Sequence, residues 1–260
     1  MSVTATAPGS ITTIFAPRDG EASLGVSFAT ADGAQVTVAP AAETGVFLDG
    51  ERASIAPVAG VLRRLGATAE VRVETQVPIG CGFGVSGAAT LATALAVNDM
   101  AGLGHSRDEL VQASHRAEVE AGTGLGDVFI QAQGGLVWDC GEGLQRVPCT
   151  EPLGYASFGN IATADVLGDE AAVRTVKRVG ENALTDLDPA AGLRPLFEAS
   201  WAFAKRTGLA TERVEQVVSA VRANGGAATM AMVGETVVSV GHADALDETT
   251  HTTNAGAQVR

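Results

Sequence analysis

Lysine is nearly missing from this chain of 260 residues. Its 17 basic side chains are 15 arginines and only two lysines, Lys177 and Lys205, against 30 acidic residues and a formal net charge of −13. Proteins that bind DNA or RNA use clustered Lys and Arg to neutralise phosphates, so we expect no nucleic-acid partner. An acidic, lysine-poor surface is typical of a salt-rich cytosol, where dense salt screens the self-repulsion. The composition therefore favours a halophilic source.

Cysteines, aromatic residues and long apolar runs are also scarce. Three cysteines without CxxC spacing support neither a disulfide framework nor a zinc site. No uncharged apolar run approaches the roughly 20 residues that span a bilayer, and the start of the chain lacks the basic-then-apolar layout of a signal peptide. We therefore expect a cytoplasmic protein with no membrane partner. Because aromatic residues make up only 4% of the chain, Ala, Val and Gly must do most of the packing.

Hydrophobic periodicity divides the chain into a β-rich first part and a second part with a different rhythm. Strands are predicted over 3–7, 25–30, 34–40, 45–50 and 70–77, a turn over 8–10, helices over 56–66, 86–103 and 106–121, and a hairpin over 134–149. The final third predicts strands over 154–162, 227–233 and 236–241, helices over 168–184, 190–206 and 211–223, and then a polar tail. The prediction is an α+β protein with two lobes, residues 1–150 and 151–260.

A glycine-rich loop leads into the second predicted helix, in the stretch QVPIGCGFGVSGAATLATALAVNDMAG over residues 76–102. Glycines allow positive φ and close approach of another molecule. A helix start supplies unpaired N–H groups and the positive end of a dipole. Together these features predict a phosphate site. In so acidic a chain, binding must depend on such local dipoles together with a metal ion.

Three other interpretations of this loop are weaker. Residues 82–87 match GxGxxG, but a dinucleotide-binding unit needs a second strand after its helix, and here another helix is predicted. A Walker A loop is excluded because no Gly-Lys-Ser/Thr follows the glycines. A glycine turn that merely lets a helix and a strand pack closely stays open if this loop is taken alone.

The segment HRAEVEAGTGLGDVFIQAQGG, over residues 115–135, adds carboxylates to the site. Glu118 lies nearer the apolar face of its helix than Glu120, and a carboxylate entering a core needs a partner or a metal. Asp127 follows three closely spaced glycines, where the backbone can bend around a bound molecule. An N-cap for the next helix is an equal and compatible interpretation of Asp127. For His115, a structural role is favoured over a role as a base.

Three segments, in this order, resemble the GHMP kinases, the superfamily of galactokinase, homoserine kinase and mevalonate kinase. TAPGSIT (6–12) resembles their N-terminal motif, PIGCGFGVSGAA (78–89) their phosphate loop, and GGAATMAMVG (225–234) their third glycine-rich motif. The second match is specific, and the three together span nearly the whole chain. Within the superfamily, the archaeal pantoate kinases, which phosphorylate pantoate with ATP on a route to coenzyme A, are most closely resembled by PIGCGFGVSGAA, HRAEVEAGTGLGDVFIQAQGG and the ending ATMAMVG (228–234).

This resemblance implies an N-terminal lobe with a mixed sheet and a ferredoxin-like C-terminal lobe, with ATP between them. Asp127 would be the catalytic aspartate, Ser86 and Glu118 would bind Mg²⁺, and pantoate would be the acceptor. The implied nucleotide-binding residues are Pro78, Gly80, Gly82, Phe83, Gly84, Val85, Ser86, Gly87 and Ala88. A homodimer is left open.

One departure from the family pattern concerns the partner of Asp127. Several members carry a lysine just after APG that assists the aspartate, and here that position is Ser10. Asp127 then acts unaided, or an arginine such as Arg18 approaches it, or catalysis rests mainly on positioning. The alternatives to a pantoate kinase are a related kinase of homoserine, shikimate or mevalonate, an inactive nucleotide-binding regulator, and a dinucleotide oxidoreductase.

Overall fold

The computed structural model describes residues 1–18, 23–77, 79–161, 169–241 and 245–260. Its strands are β1 (Val3–Pro17), β2 (Ser23–Pro40), β3 (Gly45–Leu48), β4 (Glu51–Arg52), β5 (Ala69–Thr75), β6 (Leu136–Asp139), β7 (Gln145–Val147), β8 (Pro152–Gly159), β9 (Ala227–Met230), β10 (Glu235–Val240), β11 (Glu248–His251) and β12 (Gln258–Val259). Its α-helices are α1 (Ala56–Arg64), α2 (Val85–Ala101), α3 (Arg107–Ala121), α4 (Asp127–Gln133), α5 (Glu170–Thr185), α6 (Leu193–Thr207) and α7 (Glu212–Ala223). The predicted two-lobe α+β architecture is confirmed.

The first sheet is mixed, with the strand order β12-β1-β2-β5-β3-β4 and with β6 and β7 attached to β2. Among the described strands, β3 and β5 are the one pair that runs parallel. The turn predicted over 8–10 is wrong, because β1 continues through these residues with a register shift between Pro8 and Gly9. A Cβ on Gly33 of β2 would lie 2.2 Å from the Ala7 carbonyl oxygen. The glycines therefore let two long strands approach closely at a bulge instead of ending them.

The second sheet is antiparallel in the order β11-β8-β10-β9. Helix α6 packs on β9, while α5 packs on β1 of the first sheet, where a Cβ on Gly180 would lie 2.1 Å from the Phe15 carbonyl oxygen. The predicted polar tail is wrong, because residues 245–260 contain β11 and β12. Since β12 pairs with β1, the end of the chain returns to the first sheet. A domain boundary near residue 150 stays a prediction.

Helices α2 and α3 carry the two motifs that matter most. Helix α2 is buried on almost every side, so its apolar run is core packing. Helix α3 begins with the predicted capping box, in which Ser106 accepts from the Glu109 backbone and the Glu109 side chain accepts from the Ser106 backbone. In the part of the chain that the structure describes, no helix is both long and apolar enough to cross a membrane.

Candidate active site

Three segments, TAPGSIT, PIGCGFGVSGAA and GGAATMAMVG, meet at one place between the sheets. The Ser10 N–H donates to the Phe83 carbonyl at 2.8 Å, and the Met232 N–H donates to the Thr12 carbonyl at 3.0 Å. A Cβ on Gly234 would lie 2.4 Å from the Cys81 carbonyl oxygen, so only glycine permits this contact between the second and third segments. Segments whose contacting residues are 73, 153 and 220 positions apart in the sequence thus form one continuous backbone wall.

The glycine-rich loop ends at the start of α2. Gly80, Gly82 and Gly84 have φ of 89°, 88° and 59°, values that side chains disfavour. The N–H groups of residues 85–87 open the helix and have no partner within it, and among the described residues no backbone acceptor receives them. These N–H groups are therefore available to an anion at the positive end of the helix.

The other predicted loop residues contribute differently. Phe83, Val85 and Ala88 are buried in the core, with the Phe83 ring edge-on to Tyr155 at 4.9 Å between centroids. Their side chains therefore anchor the loop, and only their backbone can face a nucleotide. Pro78 lies outside the described residues.

Glu118 is enclosed by hydroxyl groups at the base of α2. Its Oε1 accepts from Ser86 Oγ at 3.1 Å and Thr90 Oγ1 at 2.8 Å, and its Oε2 accepts from Thr123 Oγ1 at 2.8 Å. Burial raises its pKa to about 7, opposed by the three hydroxyl donors and assisted by nearby Asp127. Glu120 instead is exposed and pairs with Arg64. The structure thus brings Glu118, and not Glu120, to Ser86.

Asp127 is the first residue of α4, after Gly126 as the N-cap, so the N-cap interpretation does not hold. Its Oδ1 accepts from Ser10 Oγ at 2.7 Å. Burial raises the pKa of Asp127, and the Ser10 hydrogen bond lowers it. Ser10, the residue just after APG, is therefore the hydrogen-bond partner of Asp127. Arg18 is exposed and lies near Gly141, within 3.8 Å of where a Cβ there would stand.

Sequence reasoning missed Gln131, which is fully buried on α4. Its Nε2 lies 2.6 Å from the Gly84 carbonyl oxygen and 3.2 Å from Ser10 Oγ. No motif singles it out, because the run VFIQAQ predicts only a short apolar helix. Its role depends on the contact between α4 and the glycine-rich loop.

Glu118 and Asp127 face the same glycine from two sides. A Cβ on Gly124 would lie 3.3 Å from Glu118 Oε2 and 3.4 Å from Asp127 Oδ2. Within the described ranges, no group of three or more His, Cys, Asp or Glu could hold a metal by itself. Mg²⁺ prefers oxygen ligands and takes few from protein when phosphates and water complete its shell. The Glu118 carboxylate and the Ser86 hydroxyl, which contact each other, therefore fit a Mg²⁺ ion that arrives with a nucleotide.

A cavity of about 540 Å³ opens beside Asp127. Its lining is largely apolar, with Arg116 the one Arg or Lys among the described lining residues. Asp139 also lines it, but its Oδ1 already accepts from the Gly141 and Gly143 N–H groups. His115 is buried against the Phe129 ring, 4.9 Å between centroids; its structural role stays a prediction. Among its described lining residues, the largely apolar cavity thus has two carboxylates, Asp127 and Asp139, and one exposed guanidinium, that of Arg116.

Comparison with known proteins shows what the site region is similar to. Residues 54–135, which contain the glycine-rich loop and both carboxylates, match the family described as GHMP kinases N terminal domain. This chain therefore carries a GHMP kinase N-terminal domain. It is a small-molecule kinase, and the helix that follows α2 excludes the strand–helix–strand unit of a dinucleotide oxidoreductase.

Relatives and solved structures extend over most of the chain. It is 27% identical over 257 residues to a pantoate kinase of Methanospirillum hungatei, covering 92% of this chain and 87% of the relative. It is 27% identical over 177 residues to a pantoate kinase of Methanocaldococcus jannaschii, covering 66% of this chain and 64% of the relative. A structure described as a phosphotransferase related to the CoA biosynthesis pathway shares the fold, with a TM-score of 0.83, 22% identity, and coverage of 100% and 99%.

Proposed function

We propose that this protein transfers the γ-phosphoryl group of ATP to the primary hydroxyl of pantoate, forming 4-phosphopantoate for coenzyme A synthesis. The observation that carries the proposal is a half-buried Asp127 on the wall of a cavity, close to the free N–H groups of a helix start. The similarity to two pantoate kinases over most of the chain supports the choice of acceptor.

Backbone N–H dipoles would bind and stabilise the phosphates of the nucleotide. Phosphoryl transfer spreads negative charge over the phosphate oxygens, so the enzyme must align the reactants and stabilise this charge. The N–H groups of residues 85–87 and the start of α2 would hold the β- and γ-phosphates. Ser86 and Glu118 would hold Mg²⁺, which supplies charge neutralisation when it is bound. ATP and Mg²⁺ are thus the proposed cofactors.

Asp127 would accept the proton of the attacking hydroxyl. Because Oδ1 already accepts from Ser10, Oδ2 is the oxygen left for the substrate, and it lies beside Gly124 on the cavity lining. The proton would pass from the hydroxyl to Oδ2 as the hydroxyl oxygen bonds to the γ-phosphorus, while the bond from that phosphorus to the β–γ bridging oxygen breaks and ADP leaves. Burial favours this step, since it raises the pKa of Asp127 and makes the carboxylate a better proton acceptor.

Arg116 would bind the carboxylate of the acceptor. It lies one helical turn after Gln112 on α3, and both residues line the cavity. A chain with a net charge of −13 repels an anionic substrate, so a local cation is needed. A guanidinium suits a carboxylate because it can donate two parallel hydrogen bonds.

The decisive experiment is ADP release from Mg·ATP with D-pantoate, L-homoserine, shikimate or mevalonate as acceptor, in high-KCl and low-KCl buffers. We expect pantoate to give the highest kcat/KM. The high-KCl arm tests the salt-rich cytoplasm that the acidic composition suggests. A higher kcat/KM for another acid would assign the protein to a different GHMP kinase activity. Tight ATP binding with no ADP release on any acceptor would indicate an inactive nucleotide-binding regulator.

A further inference from the structure

The side-chain amide of Gln131 is only partly hydrogen-bonded, although it is buried. The side chain is fully buried, yet its Oε1 has no hydrogen-bond partner among the described residues. That oxygen faces the first turn of α2, 2.9 Å from where a Cβ on Gly87 would stand. A buried acceptor without a donor is destabilising. The arrangement persists because the other end of the amide makes both of its hydrogen bonds.

The chemistry of its neighbours fixes which way the amide points. The Gly84 carbonyl oxygen can only accept, so the atom 2.6 Å from it must be the amide nitrogen. The second N–H of this nitrogen then points to Ser10 Oγ at 3.2 Å. Ser10 accepts there, so its own hydrogen is directed to Asp127 Oδ1 at 2.7 Å. Hydrogen bonds thus run in one direction, with Gln131 donating to Ser10 and Ser10 donating to Asp127.

This chain of bonds joins the base to the phosphate loop. Gly84 is the N-cap of α2, and a Cβ on it would lie 2.2 Å from Ser10 Oγ and 2.9 Å from Gln131 Nε2. The amide therefore contacts both the loop whose N–H groups face the phosphates and the serine that holds the carboxylate. Without Gln131, the Gly84 carbonyl loses a donor and the nearby Ser10 hydroxyl is free to turn towards it, away from Asp127.

We propose that Gln131 is a positioning residue that aims the Ser10 hydroxyl at Asp127, and so leaves Oδ2 of Asp127 to take the substrate proton. It thereby does through Ser10 what a lysine does in several members of the family. The role of Asp127 rests on the proposed function, while the direction of the hydrogen bonds does not.

A double-mutant cycle tests the proposal at saturating pantoate and Mg·ATP. We expect Gln131→Met and Ser10→Ala each to lower kcat about tenfold, with KM for pantoate little changed, because the orientation of the base is lost. If Gln131 acts through Ser10, the double variant loses no more than Ser10→Ala alone. A product of the two losses, about a hundredfold, would show independent roles and overturn the proposal. Gln133→Met is the matched control, an exposed glutamine on the same helix, and should keep kcat within about twofold.

The variant Gln131→Glu distinguishes a space-filling role of this side chain from a hydrogen-bonding role. This variant keeps the size of the side chain but, when ionised, cannot donate to either partner. We expect at least the loss seen for Gln131→Met. Retention of wild-type kcat would assign Gln131 a filling role and reject the proposal.

A measurement without substrate keeps this inference apart from the proposed function. The carboxyl ¹³C resonance of Asp127, assigned by its loss in Asp127→Asn, reports the pKa of that group in the free protein. Ser10→Ala removes the donor to Asp127, and Gln131→Met removes the group that fixes the direction of this donor, so each should raise this pKa. Among the described residues, Glu118 adjoins Asp127, while His115, Arg116 and Asp139 line the same cavity, and all four are retained. An unchanged pKa in Gln131→Met would refute the proposal, whatever acceptor the enzyme uses.

Discussion

Glu118 and Asp127 both approach Gly124, and their surroundings differ in kind. Glu118 is 3% exposed and accepts from three hydroxyl groups on both of its oxygens. Asp127 is only half-buried, lines a cavity, and accepts from a single hydroxyl on one oxygen. The hydroxyls around Glu118 can rotate to make room for a cation, while Asp127 keeps one oxygen facing the cavity. The first environment suits metal binding and the second suits proton transfer.

Two carboxylates whose pKa values are both raised by burial therefore need not share a role. Burial is the largest cause of the raised pKa of each carboxylate. What separates them is the number of donors already satisfied and the space that remains for a substrate. Changing each carboxylate by itself therefore separates chemistry, stability and metal binding.

The largest effect is expected for Asp127, the carboxylate that faces the cavity. Asp127→Asn removes the proton acceptor and should lower kcat by about 10²- to 10⁴-fold, with nucleotide binding nearly intact. Steady-state kinetics and titration with an ATP analogue measure the two quantities. Turnover within a few-fold of wild type would remove Asp127 as the base and end the contrast with Glu118.

The second prediction concerns stability and the raised pKa of Glu118. The folded pKa of about 7 lies above the ordinary 4.5, so the native state holds a proton that the unfolded state releases between these values. Stability therefore falls as pH rises from about 4.5 to about 7, by up to about 3 kcal/mol. Urea unfolding of Glu118→Gln, without nucleotide or Mg²⁺, should show a smaller decline, because only the part due to the raised pKa of Asp127 then remains. Equal pH profiles for this variant and wild type would contradict the assigned burial effect.

The third prediction separates Glu118 from its neighbour on the same helix. Glu118→Gln weakens a charged oxygen ligand and should raise the Mg²⁺ concentration for half-maximal rate about tenfold or more. Glu120→Gln, at an exposed site paired with Arg64, is the matched control and should change it little. Equal or reversed effects would move the metal role to Glu120.

The smallest effect is expected at the mouth of the cavity. Arg116→Gln should raise KM for pantoate about fivefold to tenfold, with KM for ATP unchanged, because an exposed guanidinium–carboxylate pair is partly screened by solvent. Arg174→Gln is the control, since that arginine is 70% exposed and pairs with Glu170 on α5, away from the residues that line the cavity. An unchanged KM for pantoate would place the carboxylate elsewhere in the cavity.

Local patterns predicted much of this protein correctly. The capping box of α3, the helix after the glycine-rich loop and the hairpin of β6 and β7 follow from short-range rules of capping, periodicity and turn formation. The loop and both carboxylates also stood out by residue type and spacing. Where the predictions failed, at 8–10 and in the tail after residue 245, the strands are stabilised by partners far away in sequence.

The sequence by itself determined the α+β class, the family resemblance, and a phosphate-binding loop with acidic partners, because these depend on residue types at fixed short spacing. Only the tertiary structure decided that Ser10 bonds to Asp127 across 117 residues and that Gln131 joins both to Gly84. It also placed Arg116 and Asp127 on one cavity. The physical reason is that a hydrogen bond or a cavity wall depends on distances set by the packing of whole sheets and helices, and no local pattern encodes those distances.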